Sequence, residues 1–185
     1  PGIRIELHEA DSHEVVMAVL DGRADLGLFA DRTPALGLQT QLYRRDRLVL
    51  VVPQGHPLAK RKKLAFAEAV DYDFVSLTQA TSLAQRLALE SAQLAKPLRI
   101  RIHVRSFDAM CQMVAAGLGI AVLPKLACLP IIRAMNLAWR PLTDAWARRQ
   151  LQIAIRPDAD AAIVALRDFL CVPSQKAKTA SPRRK

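Results

Sequence analysis

Apolar and polar residues alternate where the chain opens. Ile3, Ile5 and Leu7 are separated by Arg4 and Glu6, a period of two that predicts a half-buried strand. The period then changes. Val15, Val16, Val19 and Leu20 mark one face of a helix that Asp11 or Ser12 can cap, with Glu14 at capping-box spacing from Asp11 and Gly22 as the stop. Ala24 to Ala30 reads as a buried strand, Leu36 to Tyr43 as an extended segment, and Leu48 to Val52 as an apolar strand closed by Pro53. Gly55-His56-Pro57 marks a turn, residues 66–70 a short helix and residues 74–77 a short strand. The polar stretch Thr78 to Ser82 leads into a helix lined by Leu83, Leu87 and Leu94, with Ser82 and Gln85 at capping-box spacing and Pro97 beyond its end.

The clearest strand signal follows. Leu98, Ile100, Ile102 and Val104 alternate with Arg99, Arg101, His103 and Arg105. Ser106 opens a helix that runs through Met110, Met113 and Val114 to Gly117, and residues 119–123 form the next strand. Residues 125–136 read as a short helix and loop, 137–139 and 151–155 as strands, and 159–170 as a helix with Ile163, Leu166, Phe169 and Leu170 inward. Strands alternating with helices predict an α/β fold with mainly parallel sheets. The pattern leaves one lobe or two undecided.

Composition narrows the function. The net charge of +10 invites a nucleic-acid reading, but Lys176, Lys178, Arg183, Arg184 and Lys185 lie in an acid-free tail, 173–185, read as disordered. Without them 22 basic groups face 17 acidic ones. The remaining clusters, Arg44/Arg45/Arg47, Lys60 to Lys63 and Arg99/Arg101/Arg105, hold few aromatic residues to stack on bases, so they read as solvated faces. Cys111, Cys128 and Cys171 form no C-x-x-C pair, and the first two sit in apolar surroundings, which predicts buried free thiols in a reducing compartment. No apolar run approaches the length of a membrane span, and no signal peptide opens the chain. The start at Pro1-Gly2, directly before a strand, reads as the interior of a longer polypeptide.

Catalytic and metal signatures do not assemble. His8 and His13 are five apart, whereas a zinc-binding helix needs histidines at i and i+4 on one face. Gly117-Leu118-Gly119 lacks the third glycine of a dinucleotide loop and reads as a helix stop. No phosphate-binding loop or nucleophile elbow occurs, so no catalytic residue, metal or cofactor is expected.

Three segments carry a resemblance. They are Asp21-Gly22-Arg23-Ala24-Asp25-Leu26-Gly27, then Val51-Val52-Pro53-Gln54-Gly55-His56-Pro57-Leu58, then Val114-Ala115-Ala116-Gly117-Leu118-Gly119-Ile120-Ala121-Val122-Leu123-Pro124. In this order the chain, from about Ile3 to Leu170, resembles the effector-binding domain of LysR-type transcriptional regulators. The resemblance implies a two-lobed fold like type 2 periplasmic binding proteins. Residues 1–52 and 146–172 would build lobe I and residues 53–145 lobe II, with a hinge at Val52, Pro53 and Ala145. It further implies a cytoplasmic homodimer or homotetramer that reads DNA only through an amino-terminal winged helix-turn-helix, absent from this sequence. The first strand and helix of lobe I are also expected to be missing, which would leave strand edges unpaired and the chain poorly stable alone.

Effector contacts are expected where helix starts face the cleft, because free amides there attract a carboxylate or similar anion. The candidates are Ser12; Thr78, Thr81 and Ser82; and Ser106 with Phe107. Each of these hydroxyls also reads as a plain helix cap, and the two roles are compatible. A solute-binding protein of a transport system would share the fold; the absent secretion signal, odd cysteines and basic tail weigh against it. An enzyme on the same fold would need a nucleophile or an acid–base pair in the cleft, and no spacing singles one out.

Overall fold

The computed structural model describes residues 3–30 and 33–171. The elements run α1 (Ser12–Leu20), β1 (Leu26–Ala30), β2 (Gln39–Val52), β3 (Asp73–Leu77), α2 (Ser82–Gln93) and β4 (Arg99–Val104). They continue with α3 (Phe107–Ala115), β5 (Ala121–Pro124), α4 (Lys125–Ala134), β6 (Ala138–Pro141), β7 (Arg148–Ile155) and α5 (Ala161–Cys171). Short 3-10 turns cover Pro57–Lys60, Phe66–Glu68 and Ala145–Ala147.

β2 joins the two lobes. Its amino-terminal part, Gln39 to Arg47, pairs antiparallel with β7, while β1 flanks β7 on the other side. Its carboxy-terminal part, Leu48 to Val52, pairs with β5 along one edge and β6 along the other. The apolar run that the sequence shows only from Leu48 is therefore the buried half of one 14-residue strand whose other half is polar and largely exposed. The extended segment and the apolar strand are a single element.

Period-two alternation lets that buried half serve two cores at once. Leu48, Leu50 and Val52 enter a cluster with Phe66, Phe74, Leu87 and Leu142. Val49 and Val51 enter a second cluster with Met110, Val114, Leu123 and Ile132, beneath α3 and α4. A separate, smaller core of Val16, Phe29 and Ala154 holds α1 against β1 and β7. Three cores on two sides of the β2 crossing give the two-lobed architecture.

The sheets depart from the expected direction. β3 and β4 are parallel, but β1–β7, β2–β7, β2–β5 and β2–β6 are all antiparallel. Apolar periodicity reports which face of a strand is buried and carries no information on its direction. Residues 3–10 form no strand either. Ile3, Ile5 and Leu7 are 52%, 69% and 81% exposed, and among the described residues β1 pairs with β7 alone. An alternating segment becomes a strand only where a sheet edge accepts its amides, and none does so here.

The helix ends follow their caps. Asp11, rather than Ser12, caps α1: its Oδ1 accepts from the amides of His13 and Glu14 at 2.9 and 3.0 Å. Thr81 caps α2 by accepting from the Ala84 amide at 3.3 Å, which moves the cap one residue before the expected Ser82. Ser106 caps α3 through the Ala109 amide at 3.2 Å. Residue 124 gives α4 no side-chain cap, and Asp46 of β2 supplies one from the smaller lobe, its Oδ1 accepting from the Leu126 amide at 3.1 Å. In α5, Ile163, Leu166 and Leu170 are half-buried, but Phe169 is 75% exposed and points away from the core. The expected basic tail, 173–185, lies outside the described residues.

Candidate functional site

α1 and α2 begin on different lobes, yet their first turns face one cavity of about 550 Å³. Asp11, Ser12 and His13 come from the start of α1, and Ser82, Leu83, Gln85 and Arg86 from the first turns of α2. Trp146 and Arg149 close it from the segment that returns to the smaller lobe, and Leu48 of β2 lies among the lining residues. Helix starts present amides with no partner inside the helix, so two of them on one cavity favour an anionic group between them.

The local hydrogen bonds show what is already committed. Asp11 spends its Oδ1 on two α1 amides, and Ser12 Oγ accepts from the Ala30 amide at 3.3 Å, tying α1 to the end of β1. The Thr81 hydroxyl donates to the Thr78 carbonyl at 3.0 Å while capping α2, and the Thr78 amide donates to the Val104 carbonyl. Arg86 reaches Glu90 at 2.9 Å along α2, a partly buried i,i+4 pair. Trp146 is held edge-on by Phe66, ring centroids 5.4 Å apart at 89°, and the loop before it is pinned by Asp144 Oδ2 accepting from the Phe66 amide at 2.8 Å. Arg149 stands opposite Asp46 in the β2–β7 register.

Of the expected contacts, the structure brings Ser12 and Ser82 together on this cavity. Thr78, Thr81 and Ser106 act as loop and cap groups behind the lining, and Phe107 packs between the two large cores. Val52 is fully buried and pairs with Ala138; Pro53 follows it, and Ala145 opens the 3-10 turn that carries Trp146. Sequence reasoning missed Arg86, Trp146 and Arg149. One signal was available, since Trp146 is one of only two tryptophans and stands three residues before Arg149.

The shifted ionisable groups lie away from the cavity. Burial lowers the His56 pKa, and its Nδ1 accepts from the Leu58 amide at 3.2 Å, which requires the neutral ring. Burial pushes Cys111 up to about 11 and Cys128 up to about 12. Among the described residues, no three His, Cys, Asp or Glu side chains gather as a metal site. None of the described helices is long and apolar enough to cross a membrane.

Residues 1–171 match the family described as the LysR substrate binding domain. The chain belongs to this family. Among its relatives in the LysR group, it is 28% identical over 164 residues to a "Probable RuBisCO transcriptional regulator" of Emiliania huxleyi, an alignment covering 85% of this chain and 52% of the relative. It is also 28% identical over 161 residues to the "Uncharacterized HTH-type transcriptional regulator YbhD" of Escherichia coli (strain K12), covering 86% of this chain and 50% of that protein. The chain thus spans about half the length of the curated relatives it matches. The regulatory domain of Synechocystis PCC6803 CcmR in complex with 2-PG superposes with a TM-score of 0.83 at 18% identity, over 96% of this chain and 86% of that one. The BenM effector binding domain with its effector benzoate superposes with a TM-score of 0.73 at 25% identity, over 90% and 77%. These neighbours show the same two-lobed LysR effector-domain fold.

Proposed function

We propose that this chain is the effector-sensing part of a LysR-type DNA-binding transcriptional regulator. It would bind a small molecule carrying a carboxylate or similar anion and act as a binding module rather than a catalyst. The observation that carries this reading is the single cavity lined by the first turns of α1 and α2 together with Trp146 and Arg149. A volume near 550 Å³ suits a small metabolite. An aromatic wall beside a guanidinium suits an organic anion. The solved relatives bound to 2-PG and benzoate are consistent with such ligands.

In this reading the chain up to Arg47 and from about 146 forms lobe I and residues 48–145 lobe II. The expected hinge at Val52 and Pro53 gives way to the crossing at Arg47 and Leu48, because Val52 is buried in the β5–β6 pairing of the larger lobe, while Ala145 stays beside the return crossing. Ser12 and Ser82 touch the effector directly. Thr78 and Thr81 shape the loop before α2, and Ser106 and Phe107 meet the ligand as the lobes close. An effector that binds the closed arrangement better than the open one shifts the population between them. A winged helix-turn-helix elsewhere in the full protein reads that shift on DNA, in the cytoplasm, within a homodimer or homotetramer.

A thermal-shift screen of small carboxylates tests the reading. A cognate ligand at 100 times its Kd stabilises by about 2.7 kcal/mol, a rise in melting temperature that saturates with concentration. The rise is expected to shrink in Ser82→Ala and to vanish in Arg149→Ala. A folded chain that no carboxylate stabilises, or one stabilised equally in both variants, would remove this cavity as the sensing site.

A further inference from the structure

The β2–β7 ribbon has a second face. Arg47 of β2 and Arg148 of β7 stand directly opposite one another in the register, and Arg45 stands opposite Gln150. Directly opposed residues in an antiparallel pair share a face, and so do residues two apart along a strand. Arg45, Arg47 and Arg148 therefore crowd one face, where like charges directly opposite destabilise the pair. Among the described residues, none of these three arginines makes a salt bridge.

They line a cavity of about 660 Å³ that Lys125 and Trp139 complete from the larger lobe. Lys125 Nζ sits 4.3 Å from the centroid of the Trp139 ring, which holds the ammonium at the cavity wall. Arg149, opposite Asp46 and so on the other face of the ribbon, also contributes to the lining. The one carboxylate present, Asp46, has its Oδ1 engaged with the amides of Arg47 at 2.7 Å and Leu126 at 3.1 Å.

We propose that this cavity is a second ligand site, distinct from the cleft, for a small organic anion with two or more negative charges. Three arginines on one face, none of them in a salt bridge among the described residues, are held together by the fold at an electrostatic cost that the single carboxylate of Asp46 offsets only in part. A multivalent anion relieves that cost by bridging Arg47 and Arg148, and guanidinium groups suit phosphate and carboxylate oxygens in paired contacts. The concave shape favours a compact ligand over a polymer. Contacts from β2, β7, α4 and β6 place the ligand where the strands pass between the lobes, and Arg149 lines both this cavity and the cleft. An occupant here would hold the crossing strands against the larger lobe. The inference does not depend on whether the cleft binds an effector.

Pyrophosphate is the probe. Calorimetric titration of the chain in phosphate-free buffer at low salt is expected to show one saturable site. The double variant Arg47→Ser/Arg148→Ser is expected to lose about tenfold or more in affinity, and Ser82→Ala to leave it unchanged. Without ligand, Arg148→Ser alone is expected to melt no lower than the parent, because it removes a repulsion. A competing arm with tricarballylate distinguishes a phosphate from a polycarboxylate source of the same charge. The proposal is overturned if the folded chain shows no saturable binding, or if the double variant binds within about twofold of the parent. It is equally overturned if a short DNA duplex binds more tightly than pyrophosphate with the same sensitivity to the variants, since the surface would then belong to a nucleic acid.

Discussion

Gly119 lies against the backbone of Asp73 so closely that a Cβ at position 119 would sit 2.7 Å from the Asp73 carbonyl oxygen. That same oxygen accepts from the Ile120 amide at 2.9 Å, and the Val75 amide donates to the Ile120 carbonyl, stitching β3 to the strand that begins there. Gly119 also has φ +155, a conformation that side chains rarely adopt. Gly119→Ala is therefore expected to destabilise by about 2 kcal/mol or more through combined strain and displaced backbone. Denaturant unfolding of the variant checks this; a loss within a few tenths of a kcal/mol would mean that β3 and β5 can separate freely.

The two tryptophans report on two different places. Trp146 lines the cleft and Trp139 the basic cavity. A cleft ligand is expected to change the emission of Trp146, and the change is expected to survive in Trp139→Phe. Loss of the signal in that variant would place the ligand at the basic cavity instead.

Thiol titration at pH 8 is expected to separate the cysteines. Burial raises Cys111 to about 11 and Cys128 to about 12, so both remain protonated and shielded. Cys171 is only partly buried, with no disulfide to protect it. One fast-reacting thiol is expected in the native chain and three after unfolding; rapid reaction of three native thiols would contradict the packing of α3 and α4.

His56 makes stability depend on pH. Its folded pKa is lowered from the ordinary 6.5 by burial, so the unfolded chain takes up a proton first as the solution is acidified. The stabilising difference is fully present above pH 6.5 and is lost as pH falls from there through the folded pKa. The neutral ring also caps the 3-10 turn at Pro57–Lys60 by accepting from Leu58. His56→Asn keeps an acceptor and removes the titration, so its melting temperature is expected to decline less between pH 7 and pH 5 than the parent's. Parallel declines would assign the acid sensitivity to other groups.

The helices were legible because their caps are local: Asp11 and Ser106 each sit within three residues of the amides they satisfy. The strands were legible from alternation at Leu98 to Val104 and from the apolar run at Leu48 to Val52. What escaped depends on contacts distant in sequence. Asp46 caps α4 from 80 residues away, and nothing near Pro124 announces it. Ile3 to Leu7 has the strand period but pairs with no sheet, and Phe169 has the helix period but no surface to cover. At the site, hydroxyls at helix starts drew attention to Ser12 and Ser82. Trp146 and Arg149 arrive on a return strand from far along the chain, where spacing carries no chemical signature.

β2 leaves the smaller lobe at Arg47 and enters the larger one at Leu48 with no break in its pleat. The side of the ribbon on which each later residue emerges is thus set by counting from the earlier ones. One extra residue at this crossing would send Leu48, Leu50 and Val52 toward the helices α3 and α4, and Val49 and Val51 toward Phe66 and Phe74. It would also turn Arg47 relative to the apolar positions beyond it. The parity of the strand between the lobes is thus a requirement of the fold: insertions or deletions of odd length there would turn both cores inside out.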